Sequence, residues 1–439
     1  MGDTLENYGP TGRIASDEVT QDAGGVRCET ARTGSSGEAR VRYRRYFWLA
    51  CGALGVLGFV WGSFAVLLAD LSRFLELSPG SLGIALSGGM VASFPVMALA
   101  GRGADRVGRR PLLMASGISM GIGFTWLAFL ESYASLFVAL LILSAASGAY
   151  DVGVNAMAMD YERITGRRSM TMIHAAFSAG GAVGALLAGA LITTGLDFRL
   201  IYLLALVPLG GVILAAGYSR FPPVTLSRMS SEAKGASDLY KHLPLLLVAL
   251  VAALAFLSEA AMEHWSGVYL RNTLGLPALL GASGIAVYHA SMAAGRLISA
   301  GIISRFGNRP TLRVAGLLTA IGMALALATR EVVLAMCGFL LVGLALSAVV
   351  PIALSVAGDM LPDRAGGASA VVSTLGYGGF LLGPTLIGVA AEITSVRMAL
   401  GSVVIVGISI AVLAGTHPRI ARTEKSLGAG AFCEGPGCT

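Results

Sequence analysis

Twelve stretches of about 20 mostly apolar residues run along this chain, each long enough at 1.5 Å per residue to cross a hydrocarbon core of about 30 Å as a helix. They fall at 46–70, 80–100, 111–130, 135–160, 169–194 and 198–218, and then at 243–270, 279–303, 311–329, 332–358, 366–392 and 397–416. A bilayer offers no water to unpaired backbone groups, so blocks of this length are expected to be helices, whose hydrogen bonds are internal. The expected fold class is all-α integral membrane, with twelve transmembrane helices. Composition agrees: 55% of the 439 residues are hydrophobic and 13% are charged, against about a quarter charged in soluble domains.

Between the blocks the chain divides itself. Residues 1–44 are polar and lack the apolar core of a cleaved signal peptide, which predicts a disordered cytoplasmic tail. A polar linker at 219–242 separates a bundle at 45–218 from one at 243–416, and a second cytoplasmic tail follows at 417–439. The net charge of +6 does not require a nucleic-acid surface, because the basic residues sit on alternate loops. With the N-terminal tail inside, Arg102, Arg106, Arg109, Arg110, Arg163, Arg167, Arg168, Arg305, Arg309, Arg313 and Arg364 are inside too. Only Arg73, Arg199, Arg271, Arg330 and Arg397 fall outside. The positive-inside bias therefore predicts that both termini are cytoplasmic. The five cysteines form no metal spacing or paired framework, and Cys433 and Cys438 of the terminal CEGPGC are assigned no role. No metal and no cofactor are expected.

An internal repeat gives six plus six independently of hydropathy. Arg106, Gly108, Arg110 and Pro111 match Arg305, Gly307, Arg309 and Pro310 at a common offset of 199 positions (305 less 106). Both copies follow the second helix of their half. Transporter folds are commonly built from such repeats, so two pseudo-symmetric six-helix bundles are expected.

At these residues the sequence resembles the major facilitator superfamily, whose signature loop after the second helix is similar to GRGADRVGRRP. Gly101, Asp105, Arg106, Gly108, Arg109 and Arg110 carry the match. Gly103 departs from it, since leucine is usual there, and Ser304 stands in the second copy where Asp105 stands in the first. The resemblance implies a cytoplasmic latch between the halves, made of these six residues with Arg305, Gly307 and Arg309. Glycines allow the tight turn, and arginines pair with carboxylates or helix C-termini. A narrower resemblance, to the fucose-permease-like branch, lies in DVGVNAMAMDYERITGRRSMTMIHAAFSAGGAVGA, in LSEAAMEHWSGVYLRNTLG and in GYGGFLLGPTLIGVAAEITSVRMAL, and covers roughly residues 45–416. That branch contains proton-coupled sugar permeases. The superfamily usually functions as monomers, so the expected form is a monomer in the plasma membrane, and the implied partners are a small-molecule substrate, protons and the lipid bilayer.

Ionisable groups at depth need an explanation, since each costs about 2.5–3.5 kcal/mol or more to insert. Asp151 lies deep in the fourth block, with Asn155 one turn on along the same face. The resemblance implies that Asp151 takes part in proton coupling and that Asn155 contacts substrate. A carboxyl group hydrogen-bonded between helices is the structural alternative. Glu259 and Glu263 share a face of the seventh block beside His264 and Trp265. Glu259 is the second coupling candidate or one member of a structural pair. Trp61, Glu263, Trp265 and His289 are candidate substrate contacts. Trp265 and Tyr269 fit either sugar stacking or an outer aromatic belt, with the belt favoured for Tyr269. His174 and His289 are lone imidazoles, more often packing residues, while Arg296 is expected to snorkel or to pair with an acid. Gly180, Gly181, Gly184 and Gly189 suit close helix packing. The fifth block lacks the Gly-Pro signature of drug-proton antiporters.

The expected function is alternating-access, proton-coupled import of a small polar solute such as a sugar. Proton-driven export is the alternative. A membrane-embedded transferase would need polar catalytic clusters in large loops, and the outer loops span only a few residues, so no enzyme is expected. A transport-inactive sensor is the remaining class.

Overall fold

A computed structural model describes residues 35–167, 169–219, 221 and 236–416. Among the described residues twelve helices are long and apolar enough to cross a membrane. The first bundle holds α1 (Tyr43–Phe74), α2 (Pro79–Ala104), α3 (Arg109–Phe129), α4 (Tyr133–Thr165), α5 (Met170–Thr193) and α6 (Phe198–Tyr218). The second holds α7 (Leu243–Thr273), α8 (Ala278–Phe306), α9 (Asn308–Ala328), α10 (Val332–Met360), α11 (Ala365–Ile393) and α12 (Val396–Gly415). The helix that contains α1 already begins at Ser35, so residues 35–44 of the expected tail are helical. The rest of both expected tails, most of the expected linker, Arg168, and Cys28, Cys433 and Cys438 lie outside the described residues.

The helix ends follow local chemistry. Ser78, Ser132, Asp197 and Ser395 accept from the backbone N–H groups of Ser81, Ser135, Arg199 and Met398, satisfying donors that a first turn leaves open. These four caps lie at one end of the bundle, called here the α1–α2 end. At the other, the α2–α3 end, the repeat fixes the turns. Gly108 (φ 93°) and Gly307 (φ 81°) both sit in the left-handed region just before α3 and α9, a conformation glycine adopts without a Cβ clash. Arg110 then donates to the carbonyl of Gly217 at the end of α6, and Arg309 to that of Gly415 at the end of α12. The two bundles thus repeat each other in hydrogen bonding as well as in sequence.

Close helix approach comes from small residues. A Cβ on Gly180 would lie 1.8 Å from the Gly55 carbonyl oxygen, one on Gly184 2.0 Å from that of Phe59, and one on Gly62 2.1 Å from that of Gly181. The α5–α1 seam is therefore backbone against backbone. Its counterpart is α11 on α7, where a Cβ on Gly379 would lie 2.0 Å from the Ala253 carbonyl oxygen. The offset of 199 positions carries Gly180 to Gly379.

Two further crossings join the bundles, α2 with α11 and α5 with α8. They are related by the same offset. A Cβ on Gly83 would come 3.2 Å from Cα of Gly388, and one on Gly189 2.3 Å from Cβ of Ala282. Positions 83 and 282 correspond, as do 189 and 388.

At the α1–α2 end the bundles are also bonded through polar groups. Asp70 takes both Nη atoms of Arg271, Arg73 donates to Asn272 at 3.2 Å, and the Gly80 N–H donates to Glu392 at 2.7 Å. Arg73 and Asn272 are themselves 199 positions apart. Residues related by the repeat can touch only close to its axis, so this pair marks where the pseudo-twofold emerges.

Gly180→Ala is expected to lower the thermal midpoint of the detergent-solubilised protein, with an overpacking cost of about 1–3 kcal/mol. The control is Gly210→Ala in α6, where a Cβ meets nothing within 4 Å. That change should leave the midpoint unchanged or raise it, since alanine is the better helix former by about 1 kcal/mol.

Candidate functional site

Near the middle of the bundle the polar side chains of both halves converge. Asp151 and Asn155 stand one turn apart on α4, both half-buried. The Asn155 carboxamide has both ends engaged: its Nδ2 donates to the Asp151 main-chain carbonyl at 3.0 Å, and its Oδ1 accepts from Nε2 of His174 on α5 at 3.1 Å. That contact fixes the His174 proton on Nε2. From the other half, Arg296 of α8 reaches across to α5, donating through Nη1 to Ser178 Oγ at 2.9 Å and to the His174 carbonyl at 3.4 Å. Arg296 therefore bridges the halves with its guanidinium well inside α8. It does not snorkel to the helix end.

Beside this bridge lie the acids of α7. Glu259 is 8% exposed and, among the described residues, makes no hydrogen bond or ion pair. Glu263, one turn on, has Oε1 4.0 Å from Nε2 of His289 on α8. Both glutamates lie in the electrostatic field of Arg296. Tyr377 of α11 interacts electrostatically with Asp151, Glu259 and Arg296 together, linking the α4 acid to the α7–α8 group. His289 is pressed on the first half as well, since a Cβ on Gly181 would meet its ring at 3.0 Å. The absence of a side chain at Gly181 is what admits the imidazole.

The other expected residues are placed as follows. Trp61 is half-buried and packs edge-on to Phe64, ring centres 5.4 Å apart. Trp265 is fully buried against Gly388 of α11. Tyr269 is also fully buried, its hydroxyl 3.4 Å from the Ala326 carbonyl of α9. The aromatic belt expected for it is therefore not formed. The reason is rotational: α7 ends in a π-helical turn, Tyr269–Thr273, which turns these residues onto their neighbours.

In the loop expected to latch the halves, Arg109 is buried and makes a two-point pair with Asp160 of α4 (2.9 and 3.4 Å) within its own bundle. Arg106 is exposed, Gly101 lies in the last turns of α2, and Arg305 sits over the Phe306 ring at 5.4 Å. The Asp105 side chain lies outside the described residues.

Asp160, Ser178, Tyr288 and Tyr377 escaped sequence reasoning. Asp160 had a signal, for the repeat offset carries it to Asp359. The others had none, since serine and tyrosine in an apolar helix look like packing residues. The midplane group breaks the repeat instead. The offset carries Asp151, Asn155, Glu259, Glu263, His289 and Arg296 to Val350, Leu354, Val60, Phe64, Met90 and Met97. A scaffold that folds with apolar residues in one half does not need charges at those places in the other.

Removing one partner of the Arg109–Asp160 pair leaves a buried uncompensated charge. Arg109→Met is expected to cost about 3–5 kcal/mol of stability, and Arg109→Met with Asp160→Leu to recover most of it. Thermal unfolding in detergent reads both.

Comparison with known proteins fits this geometry. The family model described as Major Facilitator Superfamily matches residues 50–384 and, overlapping, 285–429. An uncharacterized MFS-type transporter of Yersinia pestis is 31% identical over 360 residues, covering 82% of this chain and 92% of its own length. An uncharacterized transporter of Sinorhizobium fredii is 30% identical over 367 residues, covering 82% and 94%. Among solved structures, a point mutant of the nucleoside transporter NupG superposes with a TM-score of 0.72 at 16% identity over 85% of this chain and 99% of its own. A bacterial homolog of the human lysosomal transporter Spinster, in an inward-facing and unoccupied conformation, gives 0.71 at 14% identity, covering 87% and 98%. At such identities the two structures speak for the fold alone, while the family model and the sequence relatives span most of the chain. With its two pseudo-symmetric six-helix bundles, this multi-pass membrane protein belongs to the major facilitator superfamily.

Proposed function

We propose that the protein is a secondary active transporter that imports a small polar solute, such as a sugar or related metabolite, by alternating access coupled to protons. The observation that carries this reading is the midplane group itself: Glu259 and Glu263 in the field of a guanidinium that joins the two halves, with Asp151 of α4 connected to them through Tyr377. Charges at that depth are costly, and in transporters they mark ion and proton pathways. Asp151 is the first coupling group and Glu259 the second. Asn155, which already links Asp151 to His174, passes the protonation state of α4 on to α5 and changes partners when solute binds. The narrower likeness to the fucose-permease-like branch supports the same assignment for Asp151 and Asn155.

In this cycle the cross-bundle bonds at the α1–α2 end hold one state and break in the other. The loop residues Gly101, Asp105, Arg106, Gly108, Arg109 and Arg110, with Arg305, Gly307 and Arg309, secure the opposite end when it closes. The positive-inside bias puts that end and both termini in the cytoplasm of a plasma-membrane protein. The working unit is a monomer, since each bundle supplies its own share of the site.

Two measurements test this. In proteoliposomes screened with a metabolite panel, an inward proton gradient should drive accumulation of a solute. Asp151→Asn should abolish accumulation and spare solute exchange; full gradient-driven accumulation by that variant would remove Asp151 from coupling. Reversing the gradient tells import from export. Separately, a disulfide between Arg73→Cys and Asn272→Cys should form readily, and adding Asp70→Asn should lower its yield at least about twofold, because the variant loses an interaction made in only one state.

A further inference from the structure

The α7–α8 face of the midplane group has a property that a site for neutral sugars does not need. Glu259 and Glu263 lie one turn apart on a single helix face. Arg296, the cation nearest them, spends its described hydrogen bonds on Ser178 and the His174 carbonyl of α5. Glu259 has no hydrogen-bond partner among the described residues, and Glu263 has only His289 at 4.0 Å. A second observation is independent of the acids. Tyr288, 1% exposed, has a hydroxyl with no hydrogen-bond partner, and it lies in the electrostatic field of Glu259, Glu263 and Arg296. The hydroxyls of Tyr46, Tyr202, Ser258 and Ser402 are also buried without a partner among the described residues, but of the three tyrosines only Tyr288 lies in the field of both α7 acids.

We propose that Glu259, Glu263 and Tyr288 form a subsite for a protonated amine, so that the transported solute carries an ammonium group beside its hydroxyls. An ammonium has three N–H donors and no acceptor. Two ionised carboxylates and a tyrosine oxygen offer three acceptors, and none of the three accepts a hydrogen bond within 3.5 Å among the described residues. When both acids are ionised, two carboxylates face one guanidinium already bonded to α5, and a cation carried by the solute offsets the cost of burying them. The offset of 199 carries Glu259, Glu263 and Tyr288 to Val60, Phe64 and Gly89, so none of the three is required by the scaffold. His289, held against Gly181 of α5, places the subsite at the contact between halves, where an arriving cation changes the balance between the two states.

The subsite rests on the transport reading, and its test separates the two. Thermal-shift measurements on the full-length protein in detergent use glucosamine, serinol and putrescine, each beside its N-acetylated form. At least one amine is expected to stabilise the protein while its acetylated form does not. Glu263→Gln should abolish that shift, and Tyr288→Phe should weaken binding about tenfold through loss of one charge-assisted hydrogen bond. Should Glu263→Gln alter the unliganded midpoint, Tyr288→Phe decides the matter. Equal shifts with the acetylated forms, unchanged binding by the variants, or no shift with any of the amines overturns the proposal. Amine binding without gradient-driven uptake would instead remove the transport reading and leave the subsite. Gradient-driven uptake of an amine-free solute, indifferent to Glu263→Gln, would do the reverse.

Discussion

Everything in this molecule depends on helices that touch backbone to backbone. Lipid tails are as apolar as leucine, so burial of apolar surface cannot drive helices together inside a bilayer, and close packing has to do it. Here that packing is concentrated where Gly180 meets Gly55, Gly184 meets Phe59, and Gly379 meets Ala253. The same device carries the crossings between bundles, Gly83 on Gly388 and Gly189 on Ala282. Contacts of this kind are directional in shape but weak in chemistry. They let two surfaces fit closely and still part.

Onto this symmetric frame the polar groups are laid in two ways. Some obey the repeat: Arg110 and Arg309 bind the carbonyl ends of α6 and α12, and Gly108 and Gly307 turn the chain before α3 and α9. These belong to construction. Asp151, Glu259, Glu263, His289 and Arg296 disobey it, facing apolar positions in the other half. The division separates groups whose bonds recur in both bundles from groups present in one half alone. Arg296 links the classes, because its bonds to Ser178 and His174 tie α8 to α5 directly beside the acids of α7.

Much of this was legible in the residues alone, and the parts that were not share a cause. Span number and length follow from hydropathy, which is local. The Arg-Gly-Arg-Pro correspondence reads across 199 positions because identical turns need identical residues. Asp151, Glu259 and Glu263 stand out because any charge in an apolar block does. Trp265 and Tyr269 were harder, since a helix can rotate by a fraction of a turn without changing its hydropathy, and that rotation decides whether a ring faces lipid, cavity or neighbour. Tyr288 gave no sign at all, since an open hydroxyl is a fact about what surrounds it.

By itself, then, the sequence determined a twelve-span membrane protein in two related halves, with a few costly charges at depth. Bilayer thickness and the price of burying charge act on each segment separately. Only the tertiary structure decided which of those charges share one space. Glu259 and Arg296 lie on α7 and α8, and Arg296 reaches Ser178 of the first half across a crossing where Gly189 lets α5 approach α8. That geometry placed Arg296 across the α5–α8 contact, buried Trp265, and left Glu259 and the Tyr288 hydroxyl without hydrogen-bond partners among the described residues.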